Sequence, residues 1–269
     1  KSPAMAAVAR TLFRTISRSL RGLRSSPGVI RLIEPVDPQI FGTGFKMRRA
    51  PQASLLMPIL PRRLQESPEV QRLLKDATRE AKGGLEGLDE GMVRRIIKHA
   101  FQEEGNLEDG FTLSKFISAQ TALHKCTSVT VTNGVRVEGT SIPLSPPPSH
   151  NSDWGDKKSA FCYRISVENV GDHMVVLIGR HWRIHDNGSN LLHMEIPKGS
   201  PGVVGHRPSI EPGERFVYAS GCDLPSRSGW IGGSFQMIAS VPPSQRGEAQ
   251  ESFDAIVEPI PLIRDSSPY

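Results

Sequence analysis

The sequence predicts an α+β chain of two modules, an N-terminal helical bundle followed by an antiparallel β-sandwich. Three observations carry this reading. Up to about residue 125, apolar residues recur every three or four positions, the period of a helix with one buried face. From Ser128 to Leu262 the period shortens to two, in short runs separated by turn signals. The charge divides at the same place: residues 1–126 hold 21 Lys+Arg against 13 Asp+Glu, and residues 127–269 hold 12 against 15. The expected boundaries are 1–126 for the helical module, 127–264 for the sandwich and 265–269 for a tail.

The first helix is marked by Val8, Leu12, Ile16, Leu20 and Leu23, with Phe13 beside them, and ends at Ser25-Ser26-Pro27-Gly28. From Lys1 to Ile33 there are seven basic residues and no acid. Arg10, Arg14, Arg18, Arg21 and Arg24 alternate with Ser, Thr and apolar residues, the composition of a mitochondrial targeting segment. It is expected here as a retained amphipathic helix, with the mitochondrial matrix as the location.

Residues from about 25 to 66 are rich in proline and lack a stable period, and are expected as an extended arm on a partner surface. Ser67-Pro68-Glu69 starts a helix, with Ser67 as N-cap, Pro68 at the first position and Val70, Leu73, Leu74 and Ala77 on the apolar face. Gly83-Gly84 ends it. A second helix begins near Asp89, carries Met92, Val93, Ile96, Ile97, Ala100 and Phe101, and stops at Gly105. A third runs from about Thr112 with Leu113, Phe116, Ile117, Ala119 and Leu123 inward.

Within these helices, Leu12-Phe13-Arg14 with Arg18 and Leu20, and later Arg94-Arg95-Ile96-Ile97-Lys98-His99-Ala100-Phe101, resemble the two signatures of the LYR-motif family of mitochondrial accessory proteins. Phe13 stands where that family has Tyr, which keeps the aromatic area and loses a hydroxyl. The resemblance implies a three-helix module that receives the acyl-4'-phosphopantetheine arm of mitochondrial acyl carrier protein. Leu12, Phe13, Arg14, Arg18, Arg94, Arg95, Lys98 and Phe101 would then form the carrier-binding face, with the basic residues meeting an acidic partner. The bland alternative makes Leu12 and Phe13 core residues and the arginines a solvated face.

In the second half, Val129, Val131, Val135 and Val137 flank Asn133-Gly134, a hairpin signal. Phe161, Tyr163, Ile165 and Val167 alternate as a half-buried strand. Met174–Ile178 leads into Arg180-His181-Trp182-Arg183-Ile184, and Asp186-Asn187-Gly188 turns the chain into Leu191–Ile196. Phe216-Val-Tyr218, Gly229–Ile238 and Phe253–Leu262 complete an antiparallel set.

Several motifs in one order resemble the ApaG family: Val131-Thr-Asn-Gly134, Tyr163-Arg-Ile-Ser-Val-Glu168-Asn169, Arg180-His181-Trp182 with Asp186, and Gly202-Val-Val-Gly205 with Pro208. Pro212-Gly213-Glu214, Tyr218-Ala-Ser220-Gly221-Cys222 and Gly233-Ser-Phe-Gln236-Met237 follow. The resemblance implies a fibronectin-III-like sandwich. It also draws attention to a glycine-rich loop, here Gly199, Gly202 and Gly205, as a candidate phosphate, pyrophosphate or nucleotide site. A dinucleotide fingerprint needs a helix after the loop, and the patterning offers none, so turn glycines are the plainer reading.

Other chemistry is thinly signalled. His181 and His185, four apart on a strand, lie roughly 13 Å from each other along it, too far for one ion. Cys126, Cys162 and Cys222 form no C-x-x-C, so neither a disulfide framework nor a zinc site is expected. Cys222 lacks a convincing base partner, and hydrolysis at Cys222 or His181 is the weakest option. Glu168, Asp186 and Glu214 lie on separate strands or turns, and Pro146, Pro147 and Pro148 read as an ordinary loop.

The expectation is a non-catalytic accessory subunit of a large mitochondrial assembly, the mitochondrial ribosome before a respiratory complex or ATP synthase. Its partners would be mitochondrial acyl carrier protein, neighbouring subunits and rRNA at the basic half, with no transmembrane segment, metal or directly bound cofactor. The alternative is a soluble ApaG-type protein binding phosphate, pyrophosphate or a nucleotide.

Overall fold

A computed structural model describes residues 3–81, 85–102, 107–144, 159–240 and 251–266. The chain forms two compact units, and neither is continuous in sequence. Of the described residues, the first takes those up to Glu34 and those of 50–124, and the second takes those of 35–49 and those from Lys125 onward.

In the first unit, α1 (Pro3–Ser19) runs into a 3-10 turn at Leu20–Leu23. Ile16, Leu20 and Leu23 are buried at the three- and four-residue spacing that the sequence shows. Strands β1 (Arg24–Ser26) and β2 (Val29–Ile30) follow, and β3 (Gly44–Arg48) belongs to the other unit. Then come α2 (Ala53–Leu56), α3 (Arg62–Gln65), α4 (Pro68–Asp76), β4 (Thr78–Ala81), β5 (Leu85–Asp89), α5 (Glu90–Gln102) and α6 (Leu107–Lys125).

The expected N-cap at Ser67 is present, and Asp89, near which the sequence starts the second helix, caps it in the same way. Ser67 Oγ accepts from Val70 N at 3.5 Å, and Asp89 Oδ1 accepts from Met92 N at 2.8 Å. The residues read as helix stops, Gly83, Gly84 and Gly105, lie outside the described residues. The unit is not purely helical: β1, β2, β5 and β4 form an antiparallel sheet in that order. Strands of two to five residues are too short to leave a readable period.

The proline-rich stretch is not an external arm. Leu56, Leu60 and Leu64 are buried in the first unit's core, while residues 44–48 form a sheet strand. The extended segment 31–33 is held on both sides by side-chain amides. Gln52 accepts from Leu32 N at 2.7 Å and donates to Leu32 O at 3.2 Å; Gln120 accepts from Ile33 N at 2.7 Å and donates to Ile33 O at 2.9 Å. Each glutamine replaces a neighbouring strand's peptide group. Gln120→Leu strands one buried N–H and one buried C=O, so it is expected to cost about 2–3 kcal/mol in urea unfolding.

The second unit is a sandwich of two five-stranded antiparallel sheets. One has the order β3, β12 (Glu214–Leu224), β8 (Ser159–Asn169), β7 (Val135–Pro143), β6 (Thr127–Thr132). The other runs β10 (Leu191–Pro201), β9 (Val175–Asp186), β13 (Ser228–Ala239), β14 (Glu251–Ile263), with β11 (Ser209–Ile210) paired to β9. The β6–β7 hairpin turns at Asn133 (φ 46°) and Gly134 (φ 75°), as Asn-Gly requires. Between the sheets lie Val135, Val137, Phe161, Tyr163, Ile165 and Val167 from one side and Leu177, Trp182, Ile184, Ile231 and Phe235 from the other. Trp182 meets Phe235 edge-on at 5.4 Å.

Candidate functional site

The glycine loop leaves β10 and returns to β11, a strand, so no helix N-terminus faces it. Most of its donors are spent internally. Gly202 N donates to Ile178 O at 3.0 Å, Val203 N to His206 O at 2.9 Å, His206 N to Val203 O at 2.7 Å, and Gly199 N to Gln236 Oε1 at 3.2 Å. Arg180 clamps the loop's carbonyls, donating to Pro201 O at 3.2 Å and to Gly202 O. The loop therefore lacks the architecture of a dinucleotide cradle: Gly199 lies within β10 at a register shift, and only Gly202 and Gly205 belong to the turn that follows. Its tip is unusual: Val204 has φ 41° beside Gly205 at φ 79°. A β-branched residue in the left-handed region is strained, and exposed His206 and Arg207 follow it directly.

The other singled-out side chains do not converge. His181 Nε2 lies 2.9 Å from Glu195, whereas His185 stacks on Trp230 at 4.1 Å. Among the described residues no group of His, Cys, Asp and Glu could hold a metal ion. Burial pushes the Cys222 thiol up to about 12 and that of Cys162 to about 11. At neutral pH both are protonated and poorly nucleophilic.

Asp186 is a structural anchor. Burial would raise its pKa, but hydrogen bonds from Ser226 and Ser189, including Ser189 N and Oγ at 2.8 Å and Ser226 N at 3.1 Å, hold it at about 2. A depressed carboxylate stabilises the fold above its unfolded pKa of 3.8 and loses that contribution as pH falls toward 2. Asp186→Asn is expected to flatten the acid limb of a stability-versus-pH curve between about pH 4 and 2 by about 2 kcal/mol.

The carrier-binding residues inferred from the helical signatures are placed as packing and surface. Phe13 and Phe101 meet edge-on at 5.8 Å. A Cβ at Gly110 would fall 2.6 Å from Leu12 and 2.8 Å from Phe101, so α6 approaches this pair closely. Arg14, Arg18, Arg95 and Lys98 are exposed. Arg94 is not part of a free basic face, because it pairs with Glu90 at 2.6 Å, as does Arg24.

The most consequential cluster was not singled out by the sequence reading. On the face of the β3–β12–β8–β7–β6 sheet away from the core, Arg164 meets Glu138 at 2.8 Å, Arg136 meets Glu168 at 2.9 Å, and Arg49 bridges both carboxylates at 3.3 and 2.9 Å. Glu138 is 1% exposed, Arg164 3% and Arg215 0%. The legible signal was opposite charge at directly paired positions: Arg136 faces Glu168 on β8, and Glu168 faces Arg215 on β12.

Comparison with known proteins bears on the same strands. The ApaG domain matches residues 149–239, of which 149–158 lie outside the described residues. Protein ApaG of Maricaulis maris is 35% identical over 132 residues, spanning 48% of this chain and 92% of that protein. The chain belongs to the ApaG family. Protein ApaG of Beijerinckia indica is 33% identical over 118 residues, 44% of this chain and 79% of the relative. Among solved structures, the putative ApaA protein of Bordetella pertussis is 28% identical, covering 51% of this chain and 94% of its own, with a TM-score of 0.39.

The ApaG assignment revises the wider expectation. These relatives are bacterial ApaG proteins, which overturns the mitochondrial-matrix location and the accessory subunit of a mitochondrial ribosome, respiratory complex or ATP synthase. The LYR and acyl-carrier readings, which presupposed a mitochondrial accessory protein, fall on the same finding. No helix among the described residues is long and apolar enough to cross a membrane.

Proposed function

We propose that this chain is a non-catalytic ApaG-type binding protein with a fibronectin-III-like sandwich, taking a phosphate- or pyrophosphate-bearing ligand at the tip of the 202–207 loop. One observation carries the reading: Val204 holds a left-handed backbone on an exposed turn between Gly202 and Gly205, next to His206 and Arg207. Strain of this kind persists where the surrounding structure imposes it, and it concentrates at binding sites. Gly202, Val203 and His206 spend their N–H groups within the fold, so the anion-binding pair is the successive Val204 N and Gly205 N, and Arg207 adds a guanidinium suited to phosphate oxygens. The raised thiol of Cys222 supports a role without covalent chemistry, and the reading calls for no bound cofactor.

Isothermal titration of the full chain with inorganic phosphate, pyrophosphate and ATP tests this. The wild type is expected to release or absorb heat with at least one of them, and Arg207→Glu to abolish it, with ATP recovered intact. Val204→Gly is expected to stabilise the fold by about 1 kcal/mol by relieving the left-handed penalty, while weakening binding. Absence of heat with all three ligands, or equal binding by Arg207→Glu, removes the proposal.

A further inference from the structure

The two ends of the β10–β9–β13–β14 sheet are finished differently. At β14 the neighbouring β6 closes the seam with side chains: Thr132 Oγ1 accepts from Ile256 N at 3.2 Å, Thr130 Oγ1 from Glu258 N at 3.3 Å, and Ser128 Oγ donates to Glu258 O at 2.9 Å. At the other end, among the described residues, β10 pairs with β9 alone, so one side of its backbone is an open template within that set. Register places Met194 opposite Ile184, Ile196 opposite Trp182 and Leu191 opposite Asp186. Ile184 and Trp182 are core residues, so Met194 continues the apolar side of the sheet beyond the rim of the core, and it is 43% exposed, with Leu191 at 65%.

We propose that a second copy of this chain pairs with β10 in antiparallel fashion, with the two-fold axis near Met194. The segment His193-Met194-Glu195 is its own complement under that operation. Met194 meets Met194 of the second copy, and each His193 faces a Glu195, whose carboxylate then takes a second partner beside His181 of its own chain at 2.9 Å. A foreign strand would have to supply this pattern; the chain already carries it. One register shift, between Leu192 and Met194, falls at His193 within this centre, and a second, between Ile196 and Ser200, follows it. Pairing is therefore short, and the dimer forms and separates with concentration rather than standing as a permanent assembly.

Sedimentation velocity of the full chain from about 1 to about 100 µM, a range that brackets weak association, reads this directly. The wild type is expected to shift toward dimer with concentration. Met194→Arg sets like charges on the axis and is expected to raise the dissociation constant at least tenfold. His193→Glu is expected to weaken the dimer, and His193→Glu with Glu195→Lys to restore it. Hydrogen exchange of the β10 amides in the wild type, slower at high concentration, gives a readout that does not depend on any variant folding. A monomer at every concentration, which would leave the edge to another protein's strand, overturns the proposal, as does a dimer that Met194→Arg weakens less than twofold. Neither result bears on phosphate binding at the 202–207 loop.

Discussion

Glu138→Ala is expected to lower the unfolding free energy by about 3–5 kcal/mol, the cost of breaking a buried ion pair from one side. The measurement is the urea midpoint at unchanged slope. Glu138 is 1% exposed and accepts from Arg164 on β8 and from Arg49 beyond β3. Removing the carboxylate leaves these guanidiniums in a site where water does not replace it. Glu138→Gln keeps the volume and some hydrogen bonding, so it falls between Ala and wild type. Replacing Glu138 and Arg164 together with Leu and Met is expected to cost much less than Glu138→Ala alone, because Arg164 leaves with its partner and Arg49 keeps Glu168 at 2.9 Å. If the paired replacement costs as much as the two single changes added together, the residues are not coupled and this account is wrong.

Gly233→Ala has a comparable expected effect for a steric reason. Gly233 has φ +150°, and a Cβ there would lie 2.1 Å from the carbonyl oxygen of His181. The obstacle is backbone in the paired strand β9, so no rotamer change relieves it. Either β13 and β9 separate locally or the register shift between Ile231 and Gly233 rearranges. A loss of about 3–5 kcal/mol is expected, the sum of overpacking and backbone strain. Loss of near-ultraviolet signal from Trp182, which sits opposite Gly233 in the register, is the accompanying sign. Gly205→Ala is the control: its φ is also positive, but nothing lies within 4 Å of the added atom, and only about 1 kcal/mol is expected.

Much of the sandwich could be read before folding because turn chemistry and alternation agree in it. Asn133-Gly134 and Asp186-Asn187-Gly188 fall where one strand ends and the next begins, and the Phe161–Val167 alternation lies within β8. The same alternation misled at β7 and β8. Arg136, Glu138, Arg164 and Glu168 occupy the positions that should face water, and one strand's pattern says nothing about whether its second face is covered. β3 was also missed, although Phe45 and Met47 alternate with Lys46 and Arg48, because prolines on either side dominated the local composition. In the candidate site, the glycines of the 199–205 loop were visible as glycines. The left-handed Val204 was not, since valine is the residue least expected there.

The origin of β3 has a consequence for how the ApaG half can be isolated. Residues 35–49 lie upstream of α2, yet they pair with β12 from Glu214 to Tyr218 and bring Arg49 to Glu138 and Glu168. In binding terms β3 is a tethered ligand, held at an effective concentration on the order of millimolar by covalent linkage on both sides. A fragment cut at residue 125 would be a receptor with its peptide removed: an open β12 edge and two carboxylates lacking one of their cations. A free peptide of residues 35–49 should then bind that fragment as a separate molecule, filling the groove the intact chain keeps occupied.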